Sequence, residues 1–557
     1  MPMQSQRIAA VMRPKGGNTM SASTVHVDTF ARDHLPPRDQ WPDLIFTIPE
    51  VQYPDQLNCA VELLDTWVDQ GHGNAPVLFG TDGVWTYEQM QAKVDQVAHV
   101  LTSDLGLVPG NRVLLRSANN PMMAICWFAV VKAGLIVVAT MPLLREKELV
   151  DAIDKAQVSV AICDKRLEAE LQVAQQRCPI LQQIVYFNDS SADSLETRMS
   201  AWHTPFKAAN TAADDTMLIA FTSGSTGKSK ATMHFHRDVM AACDCFPESI
   251  VHLTANDICI GTPPLAFTFG LGGLLLFPMR FGASTVLLEK LTPESMLQAI
   301  QDYHVTITWS SPLFYRQMAS LASKFDLSKL RQSVSAGEAL PASTRTMWRE
   351  ATGIEIIDGI GSTEMFHIFI AAAGSDVRPG ATGKPVLGYE ACILDLSGNQ
   401  LPAGTVGRLA VKGPTGCRYL ADERQRTYVQ NGWNLTGDAY LMDEDGYFWF
   451  QARTDDIIVT AGYNVAGPEV ESVLLEYPSV AECAVVGVPD AERGIIIKAF
   501  VVLKAGYIGD NAMVRTLQEF VKQHIAPYKY PRAIEFCDML PRADTGKVQR
   551  YKLRQQL

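Results

Sequence analysis

Four short segments carry side chains able to do chemistry. In the first, an apolar run, Met217-Leu-Ile-Ala-Phe221, feeds Thr222, Ser223, Gly224, Ser225, Thr226, Gly227, Lys228, Ser229 and Lys230. Gly224 and Gly227 lack Cβ atoms and can turn backbone N–H groups toward an anion. Ser223, Ser225 and Thr226 add hydroxyl donors, and Lys228 and Lys230 add positive charge. This suits a polyphosphate. It is not a Walker A loop, whose glycines stand four residues apart, because only Ser225 and Thr226 intervene here. The competing reading is a flexible Ser/Gly linker. A linker would not follow directly on an apolar strand or carry two spaced lysines.

The second segment is Ile354-Glu-Ile-Ile-Asp-Gly-Ile360 running into Gly361-Ser-Thr-Glu364. A strand ending in a glycine turn would present a hydroxyl at Thr363 for a phosphate and a carboxylate at Glu364 for Mg2+. A capping box at a helix start fits the same residues. The third is Trp433-Asn-Leu-Thr-Gly-Asp438 with Arg453 downstream. An aspartate at such a turn can chelate a ribose diol with an arginine supporting it, although Thr-Gly-Asp is also ordinary turn chemistry. The fourth is Pro541-Arg-Ala-Asp-Thr-Gly-Lys547, a lysine on a glycine turn, which by itself reads equally as a surface lysine.

The elements that must position these segments show in the hydropathy pattern. Arg112–Arg116, 135–139, 158–163 and Gln183–Phe187 read as strands, 122–132 and 165–177 as helices, and 188–215 as a polar loop crossing to a second sheet. Strands alternating with helices predict parallel α/β sheets. Beyond Asp455 the pattern changes to short strands with helices over 468–476 and 512–524, an α+β unit of its own. The expected division is a flexible extension over 1–25, a large unit over 26–454 and a small one over 455–557.

Composition removes other classes. The chain has 557 residues, 60 acidic and 48 basic, giving a net charge of −12, with 47% hydrophobic and 19% charged residues. Such a chain folds around a sizeable core and lacks the basic footprint of a nucleic-acid binder. Its most apolar stretch, Pro121 to Leu144, is broken by Lys132, Gly134 and Pro142, so it reads as a buried helix and strand, not a membrane span. No signal-peptide stretch opens it. Eleven dispersed cysteines with no CxxC pair read as reduced core thiols in a cytoplasmic protein.

Taken in order, the four segments closely resemble the adenylate-forming superfamily of acyl- and aryl-CoA ligases, luciferases and peptide-synthetase adenylation domains, from about Leu57 to Arg554. The resemblance implies a large domain of stacked α/β sheets with a β-barrel-like subdomain, and a small mobile α+β domain. It implies a carboxylate attacking ATP to give an acyl-AMP, which a thiol, usually coenzyme A, then takes up. Thr222 to Lys230 would hold the β- and γ-phosphates. Glu338, Asp358, Gly359 and Ile360 would lie on the adenine side. Thr363 would meet the α-phosphate and Glu364 hold Mg2+, with Asp438 and Arg453 clamping the ribose. Asp455 matches the hinge, Lys547 the lysine that bridges carboxylate and α-phosphate, and Gly462 and Tyr463 the pantetheine tunnel.

The family usually has an aromatic residue where Ile360 stands. Isoleucine there, followed by Met365-Phe-His-Ile-Phe369, resembles the benzoate–CoA ligase branch, and the stretch from His26 to Trp41 resembles the opening of 2-aminobenzoate–CoA ligases. A pocket for a small aromatic carboxylate is expected from Ala266, Phe267, Gly337, Ile360 and His367. Phe267 and Phe269 offer flat walls that favour a ring, though they fit plain core as well, and His367 fits either the pocket or a helix. The expected enzyme joins 2-aminobenzoate or a close benzoate to coenzyme A, as in aromatic compound degradation. Its substrates are ATP, CoA and a small aromatic acid. Neither nucleic acid nor membrane is a partner, and a homodimer is allowed. A benzoate or medium-chain acid–CoA ligase, and an adenylation enzyme loading a carrier protein, are the alternatives. The residues that hold the CoA 3′-phosphate are not legible, Arg493 being one candidate.

Overall fold

The computed structural model describes residues 24–81, 83–222, 229–453, 457–460, 463–490, 494–525, 529–542 and 548–555. Among these residues the strands form five sheets. The α/β class and the pairing of a large N-terminal assembly with smaller C-terminal sheets hold as expected.

The first sheet has six strands in the order Gln183–Phe187, Val160–Asp164, Arg112–Arg116, Ile136–Thr140, Thr216–Thr222 and Lys230–Phe235. All neighbours are parallel except the last pair, which is antiparallel. Arg112–Arg116 and Val160–Asp164 are buried at every residue. That is the pattern of strands covered on both faces. The helix Pro121–Lys132 supplies part of the cover. Asn120 caps it by accepting from Met123 N–H at 2.9 Å, with Pro121 pre-set at the first turn, and it is buried on nearly every side. A helix apolar on nearly every side belongs inside a protein, and this one lies in the core shared by the two large sheets, its terminal Lys132 paired with Asp65 and Asp95.

The second sheet has nine strands. Its centre, from Ile356–Gly361 through Gln332–Ser335, Ile307–Ser310, Ile258–Gly261 and Ser284–Val286 to Pro76–Gly80, is parallel, and antiparallel strands finish both edges. Residues from both sheets, such as Val113 and Val137 of the first and Trp309 and Val334 of the second, share one core. A five-stranded antiparallel sheet follows, built from Glu390–Leu394, Gly407–Lys412, Val429–Gln430, Trp433–Met442 and Phe448–Arg453. From Ile457 onward the strands pair only with one another, as the hairpin Ile457–Thr460 with Tyr463–Ala466 and the sheet Val480–Asp490, Gly494–Leu503 and Ala533–Phe536.

Three local readings are corrected. The polar stretch 188–215 contains a short helix, Leu195–Met199. Ser194 starts it by accepting from Thr197 N–H, and Leu195 and Met199, four residues apart, both bury. The helix expected over 165–177 begins as a 3₁₀ turn, Lys165–Leu167, because Asp164 accepts from Arg166 N–H at 3.0 Å and tightens the entry. Thr24 and Val25 do not behave as an extension. The Thr24 hydroxyl and the Val25 N–H both donate to the Asp215 carboxylate, so these two residues belong with the body.

All eleven cysteines are free and all but Cys537 are buried. Among the described residues, no helix is long and apolar enough to cross a membrane.

One wholly buried ion pair ties the first sheet to the connection between Gly407–Lys412 and Val429–Gln430 of the third. Asp238, in the helix His236–Phe246 after the first sheet, takes two hydrogen bonds from Arg418, at 2.7 and 3.2 Å. Removing one partner of such a pair leaves an uncompensated charge in a low-dielectric site. Arg418→Met is therefore expected to lose about 3 to 5 kcal/mol in urea unfolding, while adding Asp238→Asn recovers at least half of that loss. Equal stability of the single variant and the parent would show the pair to be idle.

Candidate active site

Thr222 ends the strand Thr216–Thr222 and pairs with Lys230 across the antiparallel register. The strand positions therefore hold the two ends of the glycine-rich loop together. Ser223, Gly224, Ser225, Thr226, Gly227 and Lys228 lie outside the described residues. The Lys230 ammonium sits 5.2 Å from the Tyr419 ring and 5.8 Å from the Tyr428 ring, over two aromatic faces.

Those tyrosines lead to the second segment. No helix follows Gly361-Ser-Thr-Glu364, so the capping-box alternative falls. The strand Ile356–Gly361 instead turns through 362–366 into the antiparallel strand Ile368–Ala371. Tyr419 O–H donates to Glu364 Oε1 at 2.5 Å, and the Glu364 side chain is buried. Ser362 and Tyr428 hydroxyls meet at 3.3 Å. The Thr363 carbonyl accepts from His234 Nε2–H at 2.7 Å and from Phe366 N–H at 3.1 Å. Burial, reinforced by nearby acids, raises the Tyr419 phenol well above its ordinary range, so it donates to Glu364 across the working pH range.

Beside this turn, Ser335 and Asp358 are register partners, so the chain of Gly337 and Glu338 leaves its strand next to Asp358 and Gly359. Burial pushes the Asp358 carboxyl up to about 7 against the charge of Arg345. Gly337 has open space where a side chain would stand. Asp438 and Arg453 are cross-strand partners, and Arg453 Nη1 donates to Asp438 Oδ1 at 2.8 Å and to Thr436 O at 3.1 Å. Gly437 is required here: its φ is +77°, and a Cβ would stand 2.8 Å from the Arg453 guanidinium. The buried Tyr440 phenol is raised by burial and then by the charges of Asp438 and Asp358.

Asp455, Gly462 and Lys547 lie outside the described residues, as does the candidate Arg493. Tyr463 opens the strand Tyr463–Ala466 and pairs with Thr460. The residues flanking Lys547 are placed: Arg542 bridges Val548, and Gln549 N–H donates to Pro541 O at 2.8 Å, closing the base of a loop. Arg542 reaches Glu482 at 2.7 Å and Glu338 at 4.0 Å. The loop base therefore faces the Gly337–Glu338 turn.

Ala266 and Phe267 are half-buried and precede the short helix Thr268–Leu271. Ile360 is half-buried and pairs with Ile370. His367 is not in a helix. Its ring is caged by Phe246, Phe269, Phe277 and Trp309 at centroid distances of 5.6, 5.6, 4.4 and 6.1 Å. A Cβ on Gly272 would come within 2.6 Å of that ring, so the backbone packs directly against it. His367 Nε2 faces Phe269 O at 3.4 Å, and Nδ1 is buried with no hydrogen-bond partner among the described residues.

Sequence reasoning missed His234, Tyr419, Tyr428 and the cage residues Phe246, Phe277 and Trp309. The signal for His234 was a polar residue at alternate positions, 230, 232 and 234, along the run Lys230–Phe235.

The chain matches the model of the AMP-binding enzyme family over residues 64–419, and that of the AMP-binding enzyme C-terminal domain over 469–547. It is 34% identical over 517 residues to a benzoate–CoA ligase of Thauera aromatica, covering 91% of this chain and 98% of the relative. The structure resembles that of the anthranilate CoA ligase AuaEII in complex with anthranoyl-AMP, with a TM-score of 0.86, 35% identity, and 91% and 99% of the two chains covered. It also resembles a benzoate CoA ligase of Burkholderia xenovorans LB400, with a TM-score of 0.81, 30% identity, and 89% and 99% covered.

Three buried histidines give the fold a defined pH dependence. Burial lowers His234 to about 4, and His236 and His367 to about 3. The unfolded chain protonates each near its ordinary value, and the folded chain does not. Stability is thus fully present above about 6.5 and is lost as the pH falls toward 4 and 3. Each histidine is expected to cost about 2 kcal/mol between pH 7 and 5. Urea unfolding at the two pH values checks this, and His367→Leu should remove about one proton from the slope. An unchanged slope would mean that the His367 ring titrates normally.

Proposed function

Because the chain belongs to the AMP-binding enzyme family, we propose that it is an ATP-dependent aryl-CoA ligase that activates 2-aminobenzoate or a close benzoate. The observation that carries the aromatic reading is the cage around His367. The His367 ring fills that cage, and its Nδ1 and the Trp309 Nε1 are buried without partners among the described residues; a planar acid with a polar substituent suits the half-buried Phe267, Phe269 and Ile360 at its margin. The anthranilate and benzoate ligases among the chain's relatives support the same acid class.

In the proposed reaction a carboxylate oxygen bonds to the α-phosphorus of ATP as the bond to pyrophosphate breaks. The thiol sulfur of CoA then bonds to the acyl carbon, and the C–O bond to AMP breaks. Thr222 to Lys228 hold the β- and γ-phosphates, with Lys230 backed by its two tyrosine faces. Thr363 meets the α-phosphate. Asp438 accepts from the ribose hydroxyls while Arg453 holds its other side, and Glu338, Asp358, Gly359 and Ile360 line the adenine. Lys547 stabilises charge developing between carboxylate and phosphate. Ala266, Phe267, Gly337, Ile360 and His367 line the acid pocket, and Gly462 and Tyr463 the pantetheine path.

Mg2+ fits Glu364. The ion takes one or two carboxylates and fills its other positions with water and phosphate oxygens. Glu364 Oε2 has no donor among the described residues, while Tyr419 holds Oε1. When bound, the ion neutralises charge on the phosphate oxygens.

The small unit from 455 to 557 turns about Asp455 between the two half-reactions, against the large unit that ends at 454. The pairing of all strands after Ile457 among themselves supports that division. The eleven free cysteines suit a reducing, cytoplasmic setting.

A panel of benzoates, aminobenzoates and medium-chain acids, read as CoA-dependent AMP release, tests the acid class. 2-Aminobenzoate or a close benzoate should give the highest kcat/KM, and a medium-chain acid outrunning every benzoate would reject the aryl reading. Transfer to a carrier protein in place of CoA would redirect it to an adenylation enzyme. Lys547→Ala should lower adenylation by about 10²–10³-fold, the range for removal of an electrostatic donor, and leave thioester formation from supplied aryl-AMP near the parent rate. Equal loss of both steps would remove Lys547 from this role.

A further inference from the structure

His234 is a wholly buried histidine that the reaction does not require as an acid or base. It lies in the strand Lys230–Phe235 with no exposed surface. Its Nε2–H donates to the Thr363 carbonyl at 2.7 Å. Its Nδ1 has no hydrogen-bond partner among the described residues. The nearest carboxylate oxygen, Asp238 Oδ2, is 3.9 Å away and already accepts from Arg418 and from Phe235 N–H. Burial, with Arg418 adding to it, keeps the ring neutral. A buried, unsatisfied nitrogen is costly, so an apolar side chain would suit this core position better unless the other nitrogen had a task.

The task is visible at Thr363. The turn it opens is awkward: Phe366 has a φ of +70°, a region that bulky residues rarely adopt. Such a conformation persists only where its surroundings over-determine it. Here Ser362 Oγ accepts from Met365 N–H at 3.2 Å, Thr415 Oγ1 donates to Met365 O at 2.8 Å, and Phe366 packs edge-on against the His234 ring at 5.2 Å and 89°. The Thr363 carbonyl lies in the same peptide plane as the Glu364 N–H. A donor fixed on that oxygen therefore fixes the plane, and with it the direction in which the Thr363 and Glu364 side chains leave the chain.

We propose that His234 is a positioning residue for adenylation: through its hydrogen bond to the Thr363 carbonyl it sets the peptide plane that aims the Thr363 hydroxyl and the Glu364 carboxylate. The inference rests on the nucleotide roles given to those two residues under the proposed function. Since thioester formation starts from the completed adenylate, the loss falls on the first half-reaction.

The test compares His234→Gln, His234→Asn, His234→Leu and Glu364→Gln. Glutamine brings an amide N–H to the Nε2 position and asparagine to the Nδ1 position, so their difference reads the hydrogen bond and not ring packing. Adenylation is measured by ATP–pyrophosphate exchange with 2-aminobenzoate, and with benzoate in a parallel series. Thioester formation is measured from supplied aryl-AMP, and folding from Tm. His234→Leu and His234→Asn should lower adenylation kcat by about 10–100-fold, as expected for a misplaced reacting group, with KM for the acid unchanged. His234→Gln should recover most of it, and thioester formation should stay near the parent value in all three. Glutamine and asparagine variants with equal adenylation, while Glu364→Gln has lost it, would overturn the role of His234 and leave the nucleotide site standing. Retention of adenylation by Glu364→Gln would overturn the underlying reading instead. If His234→Leu fails to fold, the glutamine–asparagine comparison decides alone.

Discussion

The contact between Arg418 and Asp238 organises this molecule around its reactive turn. Two charges wholly removed from water must find each other, and their bidentate geometry fixes the chain on both sides. From Arg418 the chain passes to Tyr419, whose hydroxyl holds Glu364 and whose face carries Lys230. On the other side, Asp238 caps its own helix through Phe235 N–H and lies beneath His234, whose ring holds the Thr363 carbonyl. Three segments far apart in sequence are thereby made to meet within one turn. None of them could hold that turn alone, because its positive φ at Phe366 runs against local preference.

The same logic explains why so much of the site stands at strand ends. Parallel sheets bring the carboxyl ends of their strands to one edge, and ligands of open α/β sheets bind there. Thr222, Ser335 and Gly361 all end strands, so the loop after 222, the Gly337–Glu338 turn and the Thr363–Glu364 turn gather without a dedicated scaffold. The antiparallel sheet adds what a parallel edge cannot: a cross-strand pair, Asp438 with Arg453, in which one residue orients the other. The acidic overall charge does not by itself oppose an anionic nucleotide, because such a ligand is met by the charges immediately around it and not by the net charge.

Legibility followed the range of the interaction. Gln183–Phe187 and Arg112–Arg116 have the bounds expected from hydropathy alone, because each carries a short apolar run bounded by polar residues. The Asp438–Arg453 association was one reading of the turn chemistry and the expected one from family resemblance, and the structure adds that the two are register partners. The short helix Leu195–Met199 was missed because its signal is one cap and two apolar residues in a polar context. His234 and Tyr419 were missed because each acts at long range, 129 and 55 residues from its partner, where no local spacing records the contact. His367 was singled out but its setting was not: the aromatic cage draws on Phe246, Phe277 and Trp309 from separate elements, which only the packed sheets unite.

In the proposed reaction one carboxylate oxygen of the acid attacks the α-phosphorus of ATP and leaves with AMP when the thioester forms. The most direct measurement is oxygen tracing. 2-Aminobenzoate labelled with oxygen-18 in both carboxylate positions is turned over with unlabelled ATP and CoA, and the products are weighed by mass spectrometry. AMP should carry one heavy oxygen, the thioester should retain the other, and pyrophosphate should be unlabelled. Label in inorganic phosphate alongside ADP, or AMP without label, would contradict it.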